Sequence, residues 1–291
     1  MRLNLLRVTL ALFIVFTASG VRAESSVWVV SSPGANIYIA GSFHMLRASD
    51  YPLPAEFFTA YKNSRKIIFE APLDETGDPG NMGTFLSGAI YTDGTTLKDH
   101  ITKAAYAKVE KFCKERNYPL EQYIVFKPAL FMTMITVLEM NRIGADPMKG
   151  VDYFFNEKAL QDGKPTGSLE TVDQQLKLLL SMDENLGSDQ IIESIDEFKQ
   201  IESEMEKCLS VWRKGDEAGM EELFIKDLKS YKKLYQTLIV DRNNKWMTDI
   251  TGFLNGSVNT MLIVGTAHLA GPDGLVNLLR KRGYKVVKVQ K

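Results

Sequence analysis

The sequence predicts an α/β protein with a central, mostly parallel or mixed sheet and a large helical insertion at about residues 100–255. Three observations predict it. Short apolar, β-branched runs open and close the chain. The stretch between them carries its apolar residues at three- and four-residue steps, the period of helices packed on a core. A chain of 291 residues is long enough for one such domain, spanning 24–291 behind a short leader.

The elements follow in order. Residues 1–23 start basic at Arg2 and Arg7, run apolar from Val8 to Ala18, and end in Val21-Arg22-Ala23. That is the pattern of a cleaved secretory signal peptide, which predicts a periplasmic or secreted protein. The apolar core is short for a membrane span, so none is expected after cleavage; an uncleaved anchor is the alternative. Strands are predicted at Ser26 to Val30, Ile37 to Ala40 and Ile67 to Phe69, with a turn at Ser31 to Asn36. Gly77-Asp78-Pro79-Gly80-Asn81-Met82-Gly83 reads as a loop near the site entrance, because its glycines and proline break regular structure soon after Glu70.

Three apolar faces mark the helical part. Ile192, Ile195, Phe198, Ile201, Met205, Cys208 and Trp212 form a stripe expected on one long core-facing helix. Phe131, Met134, Ile135 and Leu138 form a second face, and Leu223, Leu228, Tyr231, Leu234 and Leu238 a third. The chain then returns to the sheet with Met261 to Val264, a helix from Pro272 to Arg280, and a last strand from Lys285 to Val289. Cys113 and Cys208 both lie in helical segments, and a disulfide and two buried thiols are equally compatible with export.

Two segments carry the chemistry. In Ile37 to His44 and again in Met261 to His268, a short apolar strand reaches a glycine and, three residues later, a histidine. The chain has only 3 histidines, so two in matching settings near opposite ends predict one site assembled by folding. The glycine is expected to permit the backbone turn that aims the imidazole across the strand end. In open α/β sheets that edge is where ligands bind. The third, His100, follows Lys98-Asp99 before a helix and is expected at the surface.

Other residues complete an ordered set: Glu70 after Ile67-Ile68-Phe69, Lys127-Pro128, Gly150-Val151-Asp152, Gly167-Ser168-Leu169-Glu170-Thr171 with Gln175, Trp212, Asp241-Arg242-Asn243-Asn244-Lys245-Trp246, and Gly265 to Gly271. In that order the chain resembles the TraB/GumN family, which is related to the Tiki metalloproteases and more remotely to erythromycin esterases. The resemblance spans nearly all of the expected mature chain. It implies a hydrolase-like site of two Gly-x-x-His motifs, a strand-end glutamate and an arginine, and, from the Tiki branch, a divalent metal.

The residues support the same reading. His44, His268 and Glu70 form a mixed nitrogen and oxygen set suited to zinc, manganese or cobalt, and three protein ligands leave a position for water. Glu170 is expected as a fourth ligand or general base, or with Gln175 as the cap of a helix starting near Val172. Arg242 is expected to hold a substrate carboxylate or an oxyanion, or else to anchor the helical part to the sheet by a salt bridge. A metal-free route, with one histidine activating water and Glu70 fixing its tautomer as in the distant esterase relatives, uses the same side chains. The sequence thus predicts a metal-dependent hydrolase of peptide bonds acting on a peptide or small-molecule substrate. The alternative is a protein that binds a peptide or small ligand on that scaffold without turnover.

Several classes are excluded. The 35 basic and 36 acidic side chains form no concentrated basic face of the kind a nucleic-acid binder needs. His-Glu-x-x-His, Cys-x-x-Cys and phosphate-loop patterns are missing, so the commonest zincin, redox and nucleotide readings fall away, and neither Ser42 nor Thr266 lies in a Gly-x-Ser-x-Gly elbow.

Overall fold

The structure, a computed structural model, describes residues 25–73 and 79–290. The expected signal peptide lies outside the described residues. Strands β1 (Val27–Ser31), β2 (Asn36–Ser42), β3 (Lys66–Phe69), β4 (Thr166–Ser168), β5 (Thr260–Gly265) and β6 (Lys285–Lys288) form one six-stranded sheet in the order β4-β3-β5-β2-β1-β6. Strands β4, β3, β5 and β2 run parallel, and β1 is antiparallel to both of its neighbours. The chain passes from β2 to β3 across the position that β5 later fills. That change of direction opens a crevice at the C-terminal strand ends.

Alternation along the strands gives the sheet two buried faces. Trp28, Val30, Ile37, Ile39, Leu262 and Val264 point to one face, which is covered by Trp246, Met247, Ile250 and Leu254 with Leu275, Val276 and Leu279. Val27, Ala40, Ile67, Phe69, Met261 and Ile263 point to the other, covered by Phe57, Phe155, Met205, Leu209 and Trp212. Each such side chain removed from water contributes roughly 1.5–3 kcal/mol.

The longer helices are α1 (Ala55–Asn63), α2 (Pro79–Ala89), α3 (Lys103–Arg116), α4 (Pro128–Arg142), α5 (Val151–Gln161), α6 (Val172–Ser181), α7 (Ser188–Glu197), α8 (Ile201–Lys214), α9 (Glu217–Phe224), α10 (Asp241–Asn255) and α11 (Leu275–Lys281). Among the described residues, no helix is long and apolar enough to cross a membrane. Helices α3, α4 and α7 enclose a further core around Val109, Phe112, Phe131, Ile135, Ile191 and Ile195.

Four expectations differ from the structure. The helical stretch between β3 and β5 returns once to the sheet as β4, a three-residue edge strand. The supposed loop at Gly77–Gly83 is helical from Pro79, where α2 begins, while residues 74–78 lie outside the described residues. The long stripe is broken by a 3-10 turn at Phe198–Gln200, so Ile191, Ile195 and Phe198 pack in the helical core and Met205, Leu209 and Trp212 pack on the sheet. One straight helix could not reach both cores. The Leu223-to-Leu238 face is likewise split among short turns, with Leu223 and Tyr231 exposed. Cys113 and Cys208 are both unbridged, and burial pushes the Cys113 thiol up to about 11.

Candidate functional site

The C-terminal ends of the four parallel strands supply His44, Glu70, Glu170 and His268 to one crevice. Backbone bonds carry the β3-β4 pairing past the strand ends, from Leu169 N–H to Phe69 O at 3.0 Å and from Glu170 N–H to Glu70 O at 3.0 Å, which sets the two carboxylates side by side. Strands β2 and β5 pair Ser42 with Gly265, and the Thr266 hydroxyl donates to Ser42 O at 2.8 Å. The two Gly-x-x-His segments are therefore neighbours.

Their glycines serve close approach and not a turn. Neither Gly41 nor Gly265 adopts a left-handed conformation, and both lie within their strands. A Cβ on Gly265 would stand 2.9 Å from His44 Nε2, 3.3 Å from Glu70 Oε2 and 3.7 Å from His268 Cδ2. A Cβ on Gly41 would stand 3.0 Å from Thr266 Oγ1 and 3.1 Å from Leu269 Cδ1. The absent side chain at Gly265 is the room in which both imidazoles and Glu70 meet.

Arg242 ties the floor together from α10. Just before it, Gln236–Val240 forms a π-helical turn, a local widening of the kind frequent at functional sites. The guanidinium sends Nε to Glu170 Oε1 at 2.9 Å, Nη2 to Glu170 Oε2 at 2.9 Å and to Glu70 Oε1 at 2.5 Å, and Nη1 to His268 Nε2 at 2.9 Å and to Leu238 O at 3.2 Å. Those bonds use all five N–H donors of an arginine. The guanidinium also lies 4.8 Å over the Trp246 ring, whose indole N–H donates to Glu170 Oε1 at 3.0 Å. Gln175 bridges the carboxylates, 2.7 Å from Glu170 Oε2 and 3.3 Å from Glu70 Oε1. The cap of α6 is Thr171, which accepts from Gln174 N–H, and Glu170 faces Arg242 instead.

The hydrogen bonds of Asn243 assign the His268 tautomer. Its amide nitrogen donates to His268 O at 3.2 Å and Asp273 O at 2.8 Å, both of which can only accept. Its Oδ1, 2.7 Å from His268 Nδ1, must then accept, so the ring proton is on Nδ1 and the Nε2 lone pair faces Arg242. Burial, reinforced by the charges of Arg242 and His44, lowers the His268 pKa to about 3 against the pull of Glu70. His268 is neutral.

His44 is in the opposite state. Desolvation by the surrounding protein opposes its charge, although about half of the side chain is open to solvent. The Asp152 carboxylate 2.8 Å from Nδ1, with the charge of Glu70, overcomes that and raises the pKa to about 9. Asp152 stands at the start of α5, placed by the bond from Val151 N–H to Phe43 O and by Gly150, where a Cβ would meet His44 O at 2.3 Å. Burial pushes Glu70 toward its neutral form, but the facing charges of Arg242 and His44 and the Gly265 N–H at 2.9 Å hold it well below the usual carboxylate range. Neutral His268 adds no charge to these.

The expected metal set of His44, His268 and Glu70 converges, yet not as three open donors. His268 Nε2 is closed by Arg242, and among the described residues no group of three or more His, Cys, Asp or Glu side chains is arranged to hold a metal ion. The residues as placed do not fit a three-ligand centre. Asp152 and Asn243, and not Glu70 as expected, bond the Nδ1 atoms of His44 and His268; both lie in segments of the ordered set, but their roles carried no local signal. His100 is elsewhere, stacked 4.0 Å from Tyr91 and 2.8 Å from Thr95 Oγ1.

Two cavities meet at His44 and Glu70. One, of about 480 Å³, is lined by Phe43, Met140, Phe224, Leu228, Leu238 and Ile239 above Arg242 and His268. The other, of about 280 Å³, is lined by Phe69, Leu73, Asp152, Gln175 and Ile263.

A family model for the TraB/PrgY/gumN family matches residues 26–288. YbaP, an uncharacterized protein of Escherichia coli (strain K12), is 21% identical over 261 residues, covering 86% of this chain and 90% of that protein. YbaP of Shigella flexneri is similar to the same extent. No solved structure matches the chain. The chain belongs to the TraB/PrgY/gumN family.

Proposed function

We propose that this member of the TraB/PrgY/gumN family is an exported hydrolase of peptide-like acyl bonds in which His44 does the proton transfer. The observation that carries the reading is the Asp152–His44 pair: His44 lines both cavities, and its Nε2 faces the space over Gly265 beside Glu70. Asp152 holds the proton on Nδ1 and so presents Nε2 to the cleft, the orientation a general base requires. In the reaction, His44 in its neutral form, populated as pH rises through about 9, takes a proton from water at Nε2 as the water oxygen bonds to the acyl carbon. The same proton then goes to the leaving nitrogen or oxygen as that bond breaks, giving an acid and an amine or alcohol.

Arg242, with every N–H engaged, keeps Glu70, Glu170 and His268 in place. To hold a substrate carboxylate it would first have to release one of them. A three-ligand metal would likewise require Arg242 to leave His268, which is why the metal-free form of the chemistry is preferred here.

The test is a broad peptide and ester hydrolysis screen of the mature protein, before and after chelation, beside His44→Ala. Turnover that survives chelation and disappears in His44→Ala supports the proposal. Turnover abolished by chelation and restored by zinc, manganese or cobalt would replace it with the metal-dependent form. No turnover, with ligand affinity that falls in His44→Ala, would favour the binding protein. The export part predicts a mature N-terminus at Glu24 by mass spectrometry of secreted or periplasmic material.

A further inference from the structure

We infer that the larger cavity is a specificity pocket that takes a bulky, uncharged apolar group of the substrate directly beside the bond on which His44 acts. The inference rests on the hydrolase reading above and adds the class of substrate.

Its volume, about 480 Å³, falls in the range of small-molecule pockets. Phe43, Phe224, Leu228 and Leu238 are each partly buried, packed on the cores with one side and lining the cavity with the other. Met140 and Ile239 complete a wall with no charged side chain in it.

The floor is polar but spoken for. All five N–H groups of Arg242 are bonded within the protein, and both ring nitrogens of His268 are occupied. Glu70 accepts from Arg242, Gln175 and Gly265. Among the described lining residues, no cation other than His44 is left to recognise a carboxylate or phosphate, and His44 is already flanked by Asp152 and Glu70. An anionic group would meet those two carboxylates. A cationic group would lose its hydration against an apolar wall without a partner there.

An uncharged aliphatic or aromatic group is what remains, and its position is constrained. Because the cavity and its smaller neighbour share only His44 and Glu70 among their lining residues, a chain that fills the pocket and continues into the other passes these two side chains. Among the described residues, neither side offers a free cation for a chain-terminal carboxylate, so the bond crossing that point is not expected to be the C-terminal one. Met140, Phe224, Leu228 and Leu238 all come from the helical part, while the sheet ends supply the floor residues His44, Glu70 and His268. The insertion thus sets the preference and the sheet the chemistry.

The experiment uses end-blocked, internally quenched peptides that differ at one central residue, Gly, Leu, Phe, Asp or Lys, with wild type, Leu228→Asp and Phe224→Ala. The Leu and Phe peptides are expected to exceed the Gly, Asp and Lys peptides in kcat/KM by about tenfold to a hundredfold, the range an apolar pocket supplies. Leu228→Asp should bring that ratio close to one. Equal rates, or a preference for Asp or Lys, would overturn the inference. If no peptide is cleaved, the hydrolase reading fails separately, and binding of the uncharged fluorophore N-phenyl-1-naphthylamine decides the pocket. Saturable fluorescence that weakens in both variants supports it; no binding, or binding unchanged in both, overturns it.

Discussion

Asp152→Asn isolates the charge behind His44 with almost no change of shape. In the wild type, the His44 pKa is raised from 6.5 to about 9 against desolvation, chiefly by the Asp152 hydrogen bond and charge. Between those two values the folded protein holds a proton that the unfolded chain has released. The pair's contribution to stability is therefore fully present below 6.5 and is lost as pH rises through about 9. Taken at face value the shift is worth about 3 kcal/mol, and since half the side chain is open to solvent, screening reduces this to about 1 kcal/mol. Urea unfolding at pH 6 and pH 9.5 should show the wild type losing about 1 kcal/mol more than the variant over that interval. Imidazole NMR should place the His44 midpoint near 9 in the wild type and closer to 6.5 in Asp152→Asn. If His44 is the general base, the rise of kcat/KM with pH should move to lower pH in the variant by the same shift. A wild-type midpoint near 6.5, or identical stability profiles, would refute the reasoning.

Three further outcomes follow from the same geometry. Gly265→Ala puts a methyl 2.9 Å from His44 Nε2 and should reduce turnover to background while lowering Tm by only a few degrees; full activity would show that His44 can move aside without consequence. Arg242→Lys offers at most three N–H donors in place of five and leaves buried Glu170 short of partners, so urea unfolding should show a loss of about 3–5 kcal/mol, and a loss under about 1 kcal/mol would mean that the carboxylates are solvated. His268, whose pKa is lowered to about 3, should stay neutral at pH 5 by NMR; the unfolded chain takes up that proton near 6.5, so its contribution makes stability fall as pH drops below 6.5, and a protonated His268 at pH 5 would contradict the assigned tautomer and partners.

The sequence by itself determined the strands β1, β2, β3, β5 and β6, because β-branched runs bounded by turn residues report a local backbone preference. It also singled out the paired Gly-x-x-His segments and Glu70, because glycine, histidine and charged residues at apolar strand ends are locally conspicuous, whereas Arg242, on α10, was reached only through the family resemblance. Strand β4 escaped it: three residues, Thr166, Gly167 and Ser168, have no apolar period, and they become a strand only by pairing with β3. Periodicity shows that a helix has an apolar face but not which core receives it, so the break at Phe198 was invisible until Ile195 and Met205 fell into different cores. The state of the site was decided by tertiary structure alone. Whether Arg242 is free for substrate depends on five acceptors drawn from Glu70, Glu170, Leu238 and His268, and the charge on His44 depends on Asp152, 108 positions away in the chain. Hydrogen bonds and electrostatic shifts act through space over a few ångströms, and distance along the chain carries no record of them.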